Sequence, residues 1–300
     1  MTLKMAIKVS NLVKRYGDFI AVDDLSFAMD EPGVFGLLGT NGAGKTTTIR
    51  MMLGMLKKDG GNITWNGEKY SPNKISTGYL AEERGIYNKS TIIDQLIYFA
   101  ELKGVSKKEA KKRIDYWLEK LQITEHKNKK AEQLSKGNQQ KVQFIAALIS
   151  DPDILILDEP LSGLDPVNTD LFKEIIKEEI EKKKYIIMSS HQMSTIEEFC
   201  TSLVILDHGK TVLKGNLSDI KKSYGRSNLI LKCDGDISNI IKESNMTLVD
   251  KNIEEYIFKI KDEKEANEFL KLLLKREVSI IKFELREPTL HEIFIEKVGN

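Results

Sequence analysis

The stretch GTNGAGKT at residues 39–46 constrains the fold more than any other part of the chain. It satisfies the pattern G-x-x-x-x-G-K-[ST], and its surroundings satisfy the structural condition attached to that pattern. Upstream, GVFGLLG is a short apolar run that predicts a buried strand, and downstream the apolar residues take helical spacing. A strand, a glycine-rich turn and a helix in this order make a phosphate cradle. Gly39, Gly42 and Gly44 let backbone N–H groups turn inward around phosphate oxygens, and Thr40, Asn41 and Ala43 complete the loop. The helix N-terminus adds the positive end of its dipole. Lys45 is placed to reach the β- and γ-phosphates, Thr46 to bind Mg²⁺ and Thr47 to donate to a phosphate.

The flanking chain supplies the elements that such a cradle packs against. Residues 5–30 hold short β-like runs, and GGNITWNGEKY reads as strand and turn, with NG at 66–67 as a hairpin turn. DILILDEP and YIIMSS read as strands, SLVILDHGKTVLKG as two strands around residues 207–209, and TDLFKEIIKEEIEKKK as an amphipathic helix. Strands alternating with helices predict an α/β fold with a parallel-rich sheet. Residues 90–149 interrupt the alternation as an inserted helical subdomain. There, Ser90 and Gly104 bound one helix, and Ser106 and Glu109 have capping-box spacing at the next. Ala110, Ile114, Trp117, Leu118 and Leu121 share one face of that second helix. A break near residues 221–228 begins a small α+β domain whose β-α-β-β-α-β order is ferredoxin-like. The expected division is 1–222 and 223–300.

ILILDEP at 154–160 supplies acidic partners for the cradle. Its apolar strand ends in Asp158, which can hold Mg²⁺ through water, and Glu159 follows, able to polarise an attacking water. His191 ends YIIMSSH, on a strand expected beside the one that carries these acids, where it can donate to the γ-phosphate or to the water. Tyr16 has two readings, an edge aromatic or a platform stacked on a nucleotide base. A second anion site is suggested by LSKGNQQ at 134–140: Ser135 can cap the helix that follows, leaving N–H groups directed outward.

The ordered set Tyr16, GTNGAGKTT, LSKGNQQ, ILILDEP, LSGLD and MSSH resembles the nucleotide-binding subunit of an ABC transporter, over about residues 5–220. The tail LREPTLHEIFIEKVG is similar to a C-terminal extension found in the drug- and sodium-exporting, ABC-2-like branch. The resemblance implies a P-loop NTPase core with an antiparallel β part, ATP and Mg²⁺ as cofactors, and a head-to-tail sandwich of two ATPase subunits, identical or different. In that sandwich the signature residues Ser135, Lys136, Gly137 and Asn138 cover the ATP held on the partner, with Ser135 and Gly137 in contact with it. Glu159 is then the general base, His191 the switch histidine and Asp165 of SGLD the residue of the D-loop that crosses the interface. A transmembrane permease partner, driven through the 82–95 segment, and a place on the cytoplasmic face of the membrane are implied as well, with export as the work.

Two stretches depart from the family pattern. Lys136, Gly137 and Asn138 stand where the family has Gly and then Gly–Gln, and Glu82 stands where it has the glutamine of its Q-loop. A carboxylate at 82 can bind Mg²⁺, but together with Glu83 it places like charge near Asp158 and Glu159, which is unfavourable. Glu82 is therefore expected to turn away or to pair with Arg84. Lys136 is expected to point to solvent, with Ser135 and Gly137 making the contacts.

Composition bears on the alternatives. With 46 Lys and Arg against 45 Asp and Glu, the net charge of +1 gives no bulk attraction for nucleic acid. That weighs against an ABC ATPase acting on nucleic acid or ribosomes, and the intact Lys45, Asp158, Glu159 and His191 weigh against a nucleotide-gated regulator with little turnover. No run of 18 apolar residues and no signal-peptide apolar core is present, so membrane spans are expected from other subunits. Cys200 and Cys233 have no metal-ligand spacing and read as buried free thiols of a reducing cytoplasm. The C-terminal domain carries no catalytic constellation and reads either as a regulatory or dimer-bracing module or as a structural appendage.

Overall fold

The alternating apolar residues before the P-loop form paired strands in the computed structural model, which describes residues 7–298 apart from 73, 84, 245, 253 and 254. β1 (Ile7–Tyr16) and β2 (Phe19–Met29) run antiparallel, with Tyr16 opposite Phe19 at their turn. β3 (Gly33–Gly39) is buried along its whole length and feeds α1 (Lys45–Met52) through the P-loop. The NG turn is present: Asn66 and Gly67 both have positive φ and join β4 (Gly60–Trp65) to β5 (Glu68–Lys69). β4 also pairs with β1, giving an antiparallel sheet in the order β2-β1-β4-β5.

β6 (Thr77–Leu80) leads into the helical block of α2 (Ile92–Leu102), α3 (Lys107–Lys120) and α4 (Lys136–Leu148), with 3₁₀ turns at Thr124–His126 and Ala131–Gln133. Then come β7 (Ile154–Asp158), α5 (Pro166–Glu181), β8 (Tyr185–Ser190), α6 (Met193–Phe199), β9 (Ser202–Asp207) and β10 (Lys210–Asn216). The sheet order is β10-β9-β3-β8-β7-β6, and the strands from β9 to β6 pair in parallel. Parallel strands need both faces covered, which is why their sequences are nearly continuous apolar runs. One face packs Phe35, Leu37, Ile154, Ile156, Ile187, Val204 and Leu206 into a core with Val22, Leu25, Ile49 and Met52. Each such side chain contributes roughly 1.5–3 kcal/mol on burial. Because the strands are parallel, the residues that follow β3, β6, β7 and β8 emerge at one rim, where an open α/β sheet places its ligands.

Local expectations in the helical block need two corrections. α2 is capped by Thr91, whose hydroxyl accepts from the Asp94 N–H at 3.3 Å, and not by Ser90. Ser106 does cap α3, but the Glu109 carboxylate completes no box and instead takes a hydrogen bond from Arg113 one turn on, at 3.1 Å. α6, after His191, is an element with no counterpart in the sequence reading.

The chain divides at Lys214/Gly215 rather than at 222/223, because α7 (Leu217–Tyr224) groups with the second unit. That unit contains β11 (Asn228–Cys233), α8 (Ser238–Glu243), β12 (Thr247–Lys251), β13 (Tyr256–Lys259), α9 (Glu263–Lys275), β14 (Ile280–Arg286) and α10 (Leu290–Val298). Its sheet order, β12-β13-β11-β14 with every pair antiparallel, is the ferredoxin-like arrangement. Leu229, Leu231, Phe258, Phe269 and Leu273 fill its core. The tail motif LREPTLHE is a structural knot. Glu292 accepts from the Thr289 N–H at 2.6 Å, the Thr289 hydroxyl at 2.9 Å and Asn228 Nδ2 at 2.9 Å, and its own N–H returns to the Thr289 hydroxyl. Cys200 is buried and Cys233 half-buried, both as free thiols.

Candidate functional site

The P-loop turns where its glycines allow. Gly39 has φ 151° and Gly44 φ 104°. A Cβ on Gly39 would lie 2.4 Å from the Leu206 carbonyl oxygen, and one on Gly44 2.5 Å from that of Ala21. No side chain fits at either point. Lys45 is buried at the mouth of the loop and donates to the carbonyls of Gly39 at 2.8 Å and Thr40 at 3.2 Å. Its ammonium also lies 3.4 Å from Glu159 Oε1.

The two acids approach this loop from the end of β7, one strand removed from β3. Asp158 is the last residue of the strand. Glu159 leaves it with φ 50°, a left-handed conformation that is strained for glutamate and redirects its side chain toward Lys45 and His191. His191 follows β8, as expected from its position, and its Nδ1 lies 2.9 Å from Glu159 Oε2. A carboxylate only accepts, so Nδ1 carries the proton and donates.

Ser189, which sequence reasoning did not single out, ties both acids together. It is fully buried on β8. Its hydroxyl donates to Asp158 Oδ1 and accepts from the Glu159 N–H at 3.0 Å. A serine within a β-strand carries no sequence signal of its own. Only the in-register pairing of Asp158 with Ser189 reveals the role.

Burial pushes the Asp158 carboxyl above its ordinary range, against the lowering effect of hydrogen bonds from Ser189 and Thr46. Asp158 Oδ2 is buried without a hydrogen-bond partner, and Glu159 Oε1 faces the Lys45 ammonium at 3.4 Å. An orphaned carboxylate oxygen beside the Thr46 hydroxyl is a hard, oxygen-only donor set, and it fits a divalent cation such as Mg²⁺.

Tyr16, half exposed, stands with Phe19 at the edge of a cleft of about 480 Å³ that Asn41, Gly42, Gly44, Lys45, Thr46, Thr47, Glu82 and Glu159 also line. Thr40 and Ala43 belong to the loop, and the Ala43 N–H closes it onto the Thr40 carbonyl at 3.1 Å. Glu82 is exposed and is among the residues that line this cleft. β6 ends at Leu80 in parallel with β7, which brings the loop after it to the same rim. Arg84, its expected partner, lies outside the described residues.

Residues 22–162 match the family described as ABC transporter, and residues 215–298 match the ATP-binding protein DrrA1-3-like, C-terminal domain. The chain is 46% identical to the uncharacterized ABC transporter ATP-binding protein YhaQ of Bacillus subtilis (strain 168), over 98% of each chain. This chain belongs to the ATP-binding subunits of ABC transporters. It is also 29% identical, over 98% of each chain, to the linearmycin resistance ATP-binding protein LnrL of the same organism. A solved structure of an ATP-binding subunit of an ABC transporter superposes with a TM-score of 0.68 at 31% identity, covering 73% of this chain and 93% of that one. Enzymes of this family hydrolyse ATP to power transport, and this ABC subunit is an ATPase with a P-loop NTPase fold.

The ABC signature region, LSKGNQQ, occupies the start of α4. Ser135 caps the helix, accepting from the Asn138 N–H at 3.3 Å, so the capping expected from the sequence is present. Lys136 is exposed, Gly137 and Asn138 are half-buried, and none of the four lines the P-loop cleft of its own chain. Two glutamines on the same helix reach the loops of the site. Gln140 donates to the Pro160 carbonyl at 2.9 Å and Gln143 to that of Glu83 at 3.1 Å. Asp165 caps α5, and the Asn168 N–H that it accepts holds its carboxyl below the usual carboxylate range. Among the described residues, no helix of this ABC subunit is long and apolar enough to cross a membrane.

Proposed function

We propose that this ATPase subunit powers export by closing, with a second ATPase subunit, around two ATP molecules. What supports this is that the P-loop, Asp158, Glu159 and His191 converge on one rim, whereas Ser135, Lys136, Gly137 and Asn138 are not among the residues that line the P-loop cleft. The first set is half a site, and the signature of a second copy of this chain completes it. Tyr16 stacks on the base, residues 39–47 hold the phosphates, and Asp165 crosses the interface beside the signature.

The chemistry follows from positioning and charge, since the protein forms no covalent bond to phosphate. Lys45 moves from the loop carbonyls to the β- and γ-phosphates. Thr46 and Asp158 would hold Mg²⁺, which would neutralise charge developing on the phosphate oxygens. Glu159 takes the proton of the attacking water. Hydrogen-bonded to His191 and close to Lys45, it is held where the γ-phosphate sits above the loop. Glu82, which lines the same cleft, is a further oxygen donor for the metal.

A transmembrane permease partner and a place at the cytoplasmic membrane face account for a transport ATPase whose described helices include no span. The resistance function in the name of LnrL favours export as the direction. The test is steady-state hydrolysis at increasing protein concentration. Turnover per subunit should rise with concentration, vanish in Lys45→Ala, and increase when the permease that co-purifies is added. Turnover independent of concentration, with no membrane protein captured, would remove the reading.

A further inference from the structure

The amide of Asn138 meets the ring of His126, which sits in the 3₁₀ turn ahead of the signature. The Nδ2 position of Asn138 is 3.0 Å from His126 Nε2. Lys129 Nζ is 3.1 Å from Nδ1 on the other side of the ring, and Glu125 Oε1 is 3.3 Å from Nε2. The backbone that carries the ring is held on both sides: the His126 backbone N–H donates to the Ile123 carbonyl at 3.0 Å, and the His126 carbonyl accepts from the Lys129 N–H at 2.9 Å. Only 17% of its side chain is exposed.

Counting protons decides the arrangement. An ammonium has no lone pair, so Lys129 can only donate and Nδ1 must accept. A carboxylate can only accept, and the negative charge of Glu125 favours the proton on Nε2. The ring is then the neutral Nε2–H tautomer, with Nε2 donating. The opposite tautomer would set Nδ1–H against the ammonium and a lone pair against the carboxylate. An N–H cannot donate to another N–H, so the end of the Asn138 amide facing Nε2 is its carbonyl oxygen. The two ends of an amide have the same shape, and the hydrogen-bond network assigns them. The NH₂ group of Asn138 is thereby directed away from the ring.

We propose that His126 is a positioning residue for the signature: its Nε2–H holds the Asn138 carbonyl and leaves the amide N–H groups free to donate to the ATP of the facing subunit. Asparagine is one methylene shorter than the glutamine that the family pattern has here, and a fixed orientation offsets the shorter reach. This rests on the two-subunit reading above.

Three measurements on the full chain test it. In ¹⁵N-histidine NMR, the signal lost in His126→Phe should report an Nε2–H tautomer in the wild type, and an Nδ1–H tautomer would overturn the proton count. In a Glu159→Gln background, His126→Phe should raise the ATP concentration needed for dimerisation about tenfold, equivalent to about 1.4 kcal/mol. Nucleotide binding to the monomer should be unchanged. His126→Gln, which keeps a donor near the Nε2 position, should restore most of the loss. Adding His126→Phe to Asn138→Ala should cost nothing further, because the two act as one unit. Additive effects, or equal losses in the Phe and Gln variants, overturn the positioning role while leaving the two-subunit reading intact. A Glu159→Gln parent that never dimerises overturns both.

Discussion

Replacing Ser189 by alanine isolates the contact that joins the two acids. The side chain has no solvent exposure, and its hydroxyl is both donor to Asp158 Oδ1 and acceptor for the Glu159 N–H. Loss of a hydrogen bond to a charged group costs about 1.5–3 kcal/mol, and leaving a buried N–H unpaired costs about 1–3 kcal/mol. Partial relaxation brings the expected total to about 3 kcal/mol. For a unit of this size that lowers Tm by about 6–12 °C. Urea denaturation, followed by a probe in the first unit, reads the loss directly. Ser190→Ala is the control, since among the described residues the Ser190 hydroxyl accepts from the Gln192 N–H alone, at 2.9 Å, and should cost about 1 kcal/mol. ATPase activity should fall by more than about 100-fold in Ser189→Ala, because the acid that binds metal and the acid that activates water are both displaced. A stability loss below about 1 kcal/mol, or normal turnover at the lower stability, would refute the idea that one hydroxyl sets both carboxylates.

Other perturbations follow from the same geometry. Burial raises the Asp158 pKa, so its contribution to stability is greatest below the unfolded value of 3.8 and is lost as pH rises through the raised folded value. At neutral pH the ionised carboxylate is a cost, and Asp158→Asn should raise Tm in metal-free buffer while abolishing hydrolysis. Glu292 behaves in the opposite sense: burial works against it, but the N–H and hydroxyl of Thr289 hold its pKa below 4.5. Its contribution is present above that value and fades as pH falls through the lowered one, so Glu292→Ala should cost the second unit about 1–2 kcal/mol at pH 7 and nothing at strongly acid pH, by denaturant titration. Lys136→Ala, at an exposed position, should lower ATPase activity less than about tenfold, and a larger fall with the fold intact would give the lysine a direct part.

Much of the site is legible in the sequence because its chemistry fixes residue type and spacing together. A loop that wraps phosphate must have glycines at fixed steps before Lys45, and a buried strand that delivers Asp158 must be apolar up to its last residue. The ferredoxin-like unit is legible for a similar reason, since its element order matches the observed strand order. What escapes the sequence depends on neighbours far along the chain. Ser189 matters only through its register with Asp158. The place of Glu82 beside the cleft follows from the parallel pairing of β6 with β7. Ser90 and Thr91 are both good caps, and local sequence does not choose between them. His126 has no motif around it, and its proximity to Asn138 depends on how the 3₁₀ turn after α3 folds back to the start of α4.

Completion of the site by a second copy of this chain can be read by light scattering of Glu159→Gln. Without the general base, ATP is bound but not consumed, so a closed assembly should accumulate. The mass should double from 34.1 kDa when ATP and Mg²⁺ are added. Adding Lys45→Ala, which removes the phosphate contact, should abolish the doubling. A mass that stays at 34.1 kDa with saturating ATP would contradict it.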